Sequence, residues 1–218
     1  MLVAGIDEAG RGPAIGPLVL AVVVVRKEDE EKLKKIGVRD SKLLSAKQRT
    51  LQEKKIKRAV AEFGTVQITA QEIDELRDRK SLNEIEAMRA GLLLNNLKQK
   101  PCLVYVDSPD PEEKNFEKRI RKYIDFECAI VSEHKADANY PVVSAASILA
   151  KTERDREIQK LERIYGRIGS GYSHDPTTIN FLKNWLEKNK GMPDFARKSW
   201  QTTKDMLDRR FQKKVSEW

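Results

Sequence analysis

Apolar residues fall in short blocks divided by glycine, proline and charge. Residues 2–6 and 18–25 are dense in Val, Ile and Leu and flank a Gly- and Pro-containing stretch, which predicts two strands joined by a loop. Ser45 and Gln48 form a capping box, after which Leu51, Ile56 and Val60 share a helical face as far as Gly64. Residues 65–69 read as a third strand. Thr69 with Glu72 and Ser81 with Glu84 open two further helices, the second turning Ile85, Met88, Leu92 and Leu93 inward. Residues 102–106 predict a strand that delivers Asp107 at its end. Pro111 stands where a first-turn proline belongs, so a helix is expected to about Ile124, and residues 127–132 alternate as a fifth strand. A long helix is expected over 142–165, another from Asp175 and Pro176 to near Gly191, and an amphipathic, basic stretch over 199–214. The order predicts an α/β protein: a mixed five-stranded sheet flanked by helices, with a helical C-terminal extension.

Composition adds a direction to this picture. The 218 residues carry a formal charge of +8, and residues 151–218 alone hold 16 basic against 10 acidic side chains. The basic excess there, including Lys183, Arg197, Lys198, Arg209 and Arg210, suits either a phosphate backbone or an ordinary solvated helix face. Cys102 and Cys128 are too few for a disulfide framework and read as reduced cytosolic thiols. The longest apolar run has eight residues, so neither secretion nor a membrane span is expected. Interleaved Glu and Lys fit a heat-adapted surface and a mesophilic one equally.

Two histidines, His134 and His174, supply little for a His-based metal site or a serine-type triad, and oxygen ligands are the better lead. Asp7 and Glu8 close the first strand, Asp107 the fourth, and Asp137 lies in a polar loop after the fifth. If those strands are neighbours, four carboxylates converge at one sheet end, where Mg²⁺ or Mn²⁺ would offset their repulsion. Taken singly, Asp107 and Asp137 also read as solvated turn or cap residues. Regular alternation would send Asp7 and Glu8 to different faces unless the chain bends. Gly10-Arg11-Gly12 can bring bare backbone to a hydroxyl or phosphate, or can be a hairpin loop. Asp40-Ser41-Lys42 offers a hydroxyl and a cation to a phosphate, or a loop before a capped helix. Gly169-Ser170-Gly171-Tyr172 presents an aromatic ring to a sugar or base, or packs it within a loop.

Together these blocks resemble ribonuclease HII, the type 2 ribonucleases H, and above all the archaeal members. The likeness rests on Gly5-Ile6-Asp7-Glu8-Ala9-Gly10-Arg11-Gly12-Pro13 and Gly16-Pro17, then Arg39-Asp40-Ser41-Lys42, Leu82-Asn83-Glu84, Asp107, and His134-Lys135-Ala136-Asp137. It continues through Pro141-Val142-Val143-Ser144-Ala145-Ala146-Ser147-Ile148, Ala150-Lys151 and Gly169-Ser170-Gly171-Tyr172. The resemblance implies an RNase H-like catalytic domain over 1–176 and a basic helical extension, 177–218, packed on it. It implies a cytoplasmic, Mg²⁺- or Mn²⁺-dependent endonuclease that hydrolyses the RNA strand of RNA–DNA hybrids and cuts duplex DNA at embedded ribonucleotides by a two-metal route, leaving 5′-phosphate and 3′-hydroxyl ends. Asp7, Glu8, Asp107 and Asp137 would be the metal-binding catalytic carboxylates. The Gly10-Arg11-Gly12 backbone would sense the ribose 2′-hydroxyl, Tyr172 would stack on the neighbouring sugar, and Lys42 and Asn83 would contact the nucleic-acid backbone. Leu43 stands where many members carry a second lysine and Ser173 where they often carry proline. A monomer is expected, and residues 211–218 hold no clear motif for docking a sliding clamp. A non-enzymatic nucleic-acid-binding module and a sugar-indifferent nuclease or resolvase of the same fold are the competing readings.

Overall fold

The computed structural model describes residues 1–38 and 44–216. Strand β1 (Leu2–Ala9) pairs antiparallel with β2 (Leu18–Arg26) in a ladder that runs without a bulge from Leu2↔Arg26 to Ala9↔Val19. On its other edge β1 pairs in parallel with β4 (Leu103–Asp107), which pairs in parallel with β5 (Ala129–Glu133). With β3 (Glu62–Ile68) the sheet order is β3-β2-β1-β4-β5, the mixed five-stranded sheet expected. Every residue of β2 except Arg26 is buried, which is why its sequence is a continuous apolar run rather than an alternation.

Helices α2 (Ala46–Ala59) and α3 (Ala70–Arg77) start at the expected capping boxes of Ser45 with Gln48 and Thr69 with Glu72, and the Ser81 hydroxyl caps α4 (Leu82–Asn95). Helix α2 ends before Gly64. That glycine lies inside β3, where Leu93 and Val22 pack over it, so strand pairing of 62–68 overrides the stop signal. Helix α5 (Glu113–Arg121) begins after Pro111, because Asp110 is held by side chains from outside the segment and keeps 108–112 as a loop. Two short helices escaped the sequence reading: α1 (Glu30–Ile36), which buries only Leu33, and α6 (Ala136–Asn139), a single turn. Helices α7 (Pro141–Tyr165), α8 (Pro176–Lys188) and α9 (Gln201–Ser216) complete the chain.

The residues cluster into two compact units. The first comprises Met1–Ala9, Val19–Gln67 and Ser81–Asp155, and its core joins Val3, Val19, Val23 and Val25 to Val142, Val143, Ile148 and Leu149. The second comprises Gly10–Leu18, Ile68–Lys80 and Arg156–Trp218, with a core of Ile15, Ile158, Ile168, Leu182, Leu186 and Met192. No described helix is long and apolar enough to cross a membrane.

Candidate active site

In the first unit, the parallel ladder of β1 and β4 runs Val3↔Leu103 to Ile6↔Val106, so the next residues on the two strands are Asp7 and Asp107. Asp7 is 6 % exposed. Its Oδ1 accepts the Glu8 amide at 2.7 Å, and its carboxyl is hydrogen-bonded by the Ser147 side chain from α7. Ser147 and Lys151 are one helical turn apart on the same face, and Lys151 Nζ donates to Ser147 Oγ at 2.7 Å. Burial pushes the Asp7 carboxyl up to about 7, and the nearby charge of Asp107 pushes the same way. The Ser147 bond, the Glu8 amide and the positive charge of Lys151 oppose that rise.

Ser147→Ala is expected to raise the Asp7 pKa further in metal-free protein, read by a carboxyl-carbon NMR titration. A pKa that stays put or falls would remove Ser147 from this network.

This arrangement depends on close approach between β1 and α7. A Cβ on Gly5 would stand 2.4 Å from the Val142 carbonyl carbon and 2.5 Å from the Val143 nitrogen, both backbone. Asp107 is fixed in turn by accepting the Ala136 amide on Oδ1 at 2.7 Å. That bond ties the end of β4 to α6, on which Asp137 is 7 % exposed. Asp137 thus lies in a helical turn and not in the polar loop expected. Lys135 reaches this turn with φ 58°, a left-handed conformation uncommon for a side chain of its kind. Glu8 follows Asp7 along an unbulged strand, so the two side chains alternate in direction, and Glu8 is half-buried.

Asn83 is engaged within the protein. Its Nδ2 donates to Asp110 Oδ1 at 2.5 Å, while Asp110 Oδ2 accepts Arg119 Nε at 2.9 Å. Arg119 Nη1 and the Tyr123 hydroxyl both donate to Glu84, each at 2.7 Å. These bonds draw the Glu84 carboxyl below its ordinary range, the Tyr123 hydroxyl first. The network anchors the loop that follows Asp107, and sequence reasoning missed it because its members are scattered over four segments. Lys42 and Leu43 lie outside the described residues.

In the second unit, the Ala14 and Ile15 amides donate to the Gly171 carbonyl at 2.8 and 3.2 Å, joining the glycine loop of 10–12 to the loop of Tyr172. Gly12 lies beside the Tyr172 ring, where a Cβ would make ordinary contact at 3.5 Å from Tyr172 Cε1. Asp175 accepts the Ser170 amide and hydroxyl at 2.7 and 2.8 Å and the Thr177 amide at 2.9 Å. Those donors hold its carboxyl well below the usual range, with the Ser170 amide first.

Among the described residues, no three His, Cys, Asp or Glu side chains are drawn together as a finished metal cage. The donor chemistry nonetheless fits a hard divalent cation. The groups brought together are carboxylates, and the buried one is burdened by the negative charge of the other. A divalent cation held by them would offset both the cost of burying the Asp7 charge and its repulsion with Asp107.

A mixed sheet with β1, β4 and β5 side by side and carboxylates where β1 and β4 end is an RNase H-like fold. The chain belongs to the ribonuclease HII family, whose sequence profile matches residues 4–203. It is 45 % identical over 204 residues to ribonuclease HII of Pyrococcus furiosus, covering 94 % of this chain and 90 % of that protein. The crystal structure of ribonuclease H2 from Pyrococcus horikoshii OT3 superimposes with a TM-score of 0.91 at 44 % identity, covering 96 % and 98 % of the two chains. The PCNA:RNase HII complex from Archaeoglobus fulgidus gives 0.84 at 38 % identity, covering 92 % and 96 %. Family membership makes the chain an endoribonuclease of the ribonuclease H type.

Proposed function

We propose that this protein hydrolyses the RNA strand of RNA–DNA hybrids and cuts duplex DNA at embedded ribonucleotides, using Mg²⁺ or Mn²⁺ and leaving 5′-phosphate and 3′-hydroxyl ends, as a cytoplasmic monomer. The observation that carries the reading is the meeting of buried Asp7 with Asp107, a pairing of like charges that is unfavourable without a cation. Asp7 and Asp107 would hold the inner positions of the metal site, with Glu8 and Asp137 completing it. Divalent cations held there would supply a lowered pKa for water and positive charge for a departing oxygen.

The protein's own groups do the remaining work. Ser147 and Lys151 keep Asp7 oriented and favour its anionic form. The Ala136 amide orients Asp107. Gly10-Arg11-Gly12 begins two residues after Glu8, and its backbone would meet the ribose 2′-hydroxyl, the group by which RNA differs from DNA. Tyr172 would stack on the adjoining sugar. Asn83, one of whose amide donors is held by Asp110, would meet the nucleic-acid backbone, and Lys42 completes the proposed phosphate contacts. The complex with PCNA is a property of the Archaeoglobus relative.

The test is cleavage of a duplex with one ribonucleotide beside its all-DNA twin, in Mg²⁺, Mn²⁺ and chelator, with the cut position mapped. The expected result is cation-dependent cutting of the ribonucleotide duplex alone, with 5′-phosphate ends. Binding without cutting would favour a non-enzymatic module, and equal cutting of both duplexes a sugar-indifferent nuclease.

A further inference from the structure

Arg197 belongs to the basic tail but is wholly buried, at 0 % exposure. Its guanidinium is spread over the backbone of the glycine loop in its own unit. Nη2 donates to the Gly10 carbonyl at 2.5 Å, Nη1 to the Arg11 carbonyl at 2.9 Å, and Nε and Nη2 to the Gly16 carbonyl at 3.2 and 3.1 Å. Trp200 Nε1 donates to the intervening Gly12 carbonyl at 3.0 Å, and the Trp200 ring centre lies 4.7 Å from the Arg197 guanidinium. The Arg197 amide adds a bond to the Ala14 carbonyl at 2.8 Å.

Desolvating a guanidinium is costly, and an apolar side chain would fill the same space without that penalty. What an apolar plug lacks is a rigid fork of donors that fixes the direction of individual peptide planes. The described peptide bonds are all trans. In a trans peptide the carbonyl and the following amide N–H point in opposite directions. With the Gly10 and Arg11 carbonyls on Arg197, the amides of Arg11 and Gly12 are therefore turned away from it, side by side on the loop's outer face. Two adjacent amides so directed make a nest for an oxygen. Gly10, at φ 89°, adopts the left-handed backbone that this path requires.

We propose that Arg197, assisted by Trp200, is a positioning residue that sets the peptide planes of Gly10-Arg11-Gly12 for ribose recognition. The proposal rests on the reading of that loop as the sugar sensor. Arg197 thus acts through the loop backbone and not on the nucleic acid directly.

The test measures affinity of the full-length protein, in chelator, for two duplexes that differ by one ribonucleotide, with thermal melting as a check on folding. Arg197→Lys keeps the charge but cannot span three carbonyls, and it is expected to shrink the preference for the ribonucleotide duplex about tenfold while affinity for the all-DNA duplex holds. Trp200→Phe keeps the ring but loses the bond to Gly12, with an expected loss of about threefold. If Arg197→Lys does not fold, Trp200→Phe decides the question alone. An unchanged preference in folded variants, or an equal fall for both duplexes, overturns the role of Arg197. Absence of any preference in the unaltered protein instead overturns the sensor reading, and this proposal with it.

Discussion

Replacing Asp7 by asparagine is expected to reduce cleavage of a ribonucleotide-containing duplex by about 10³-fold or more, since a neutral amide cannot substitute for an anionic cation ligand. Affinity for the duplex should change little. The same variant is expected to melt higher than the unaltered protein in chelator at pH 8. The Asp7 carboxyl is raised to about 7, mainly by burial, so between about pH 4 and pH 7 the folded chain keeps a proton that the unfolded chain releases. Stability contributed by this group therefore falls as pH rises through that window, and above it the whole penalty of an ionised, buried carboxylate is present. Removing the charge should recover on the order of 2–4 kcal/mol at pH 8 and almost nothing at pH 4. Melting curves in chelator at the two pH values, beside single-turnover cleavage in Mg²⁺, check both halves. A variant that cuts normally would refute Asp7 as a cation ligand, and one that gains equal stability at both pH values would refute its raised pKa.

Gly5→Ala is expected to be nearly as damaging although it touches no substrate. The added methyl would lie 2.4–2.6 Å from backbone atoms of Val142 and Val143, and backbone at a strand–helix contact has no rotamer by which to yield. A loss of about 3 kcal/mol or more follows, equivalent to roughly 6–12 °C in melting temperature for a chain of this size. Activity should fall beyond what unfolding explains, because β1 must move away from the helix whose Ser147 holds Asp7. Gly191→Ala is the matching control. A Cβ there meets nothing within 4 Å, and stability should stay within about 0.5 kcal/mol. A melting temperature for Gly5→Ala equal to that of the control would show that β1 and α7 can separate freely.

How much of this was legible depended on whether the signal was local. The apolar run of β2, the capping boxes at Ser45 and Thr69 and the acidic end of β4 are written in neighbouring residues, and the structure has them where expected. That Asp7 meets Asp107 required knowing that β1 and β4 are adjacent, and about a hundred intervening residues say nothing of that. Family likeness supplied it; periodicity did not. The glycines show the same limit in reverse. Gly64 reads as a helix stop and turns out to be a strand position under Leu93, while Gly5 reads as one letter of a motif and proves to be the clearance between a strand and a helix. Arg197 reads as one more cation of a basic face, because composition does not report burial. Only its carbonyl partners, some 180 residues earlier in the chain, distinguish it from Lys198 beside it.

The parallel pairing of β1 with β4 also governs the order in which the sheet can be completed. Strand β2 follows β1 closely and can zip onto it as a hairpin, but the opposite margin of β1, from Val3 to Ile6, has no mate until Leu103–Asp107 has been synthesised. During translation the growing polypeptide thus carries an open, strongly apolar strand margin for about a hundred residues, a surface on which nascent chains can stick to one another. Its eventual mate brings Asp107 with it, so the half-built sheet is sticky and still lacks the second carboxylate of the proposed site.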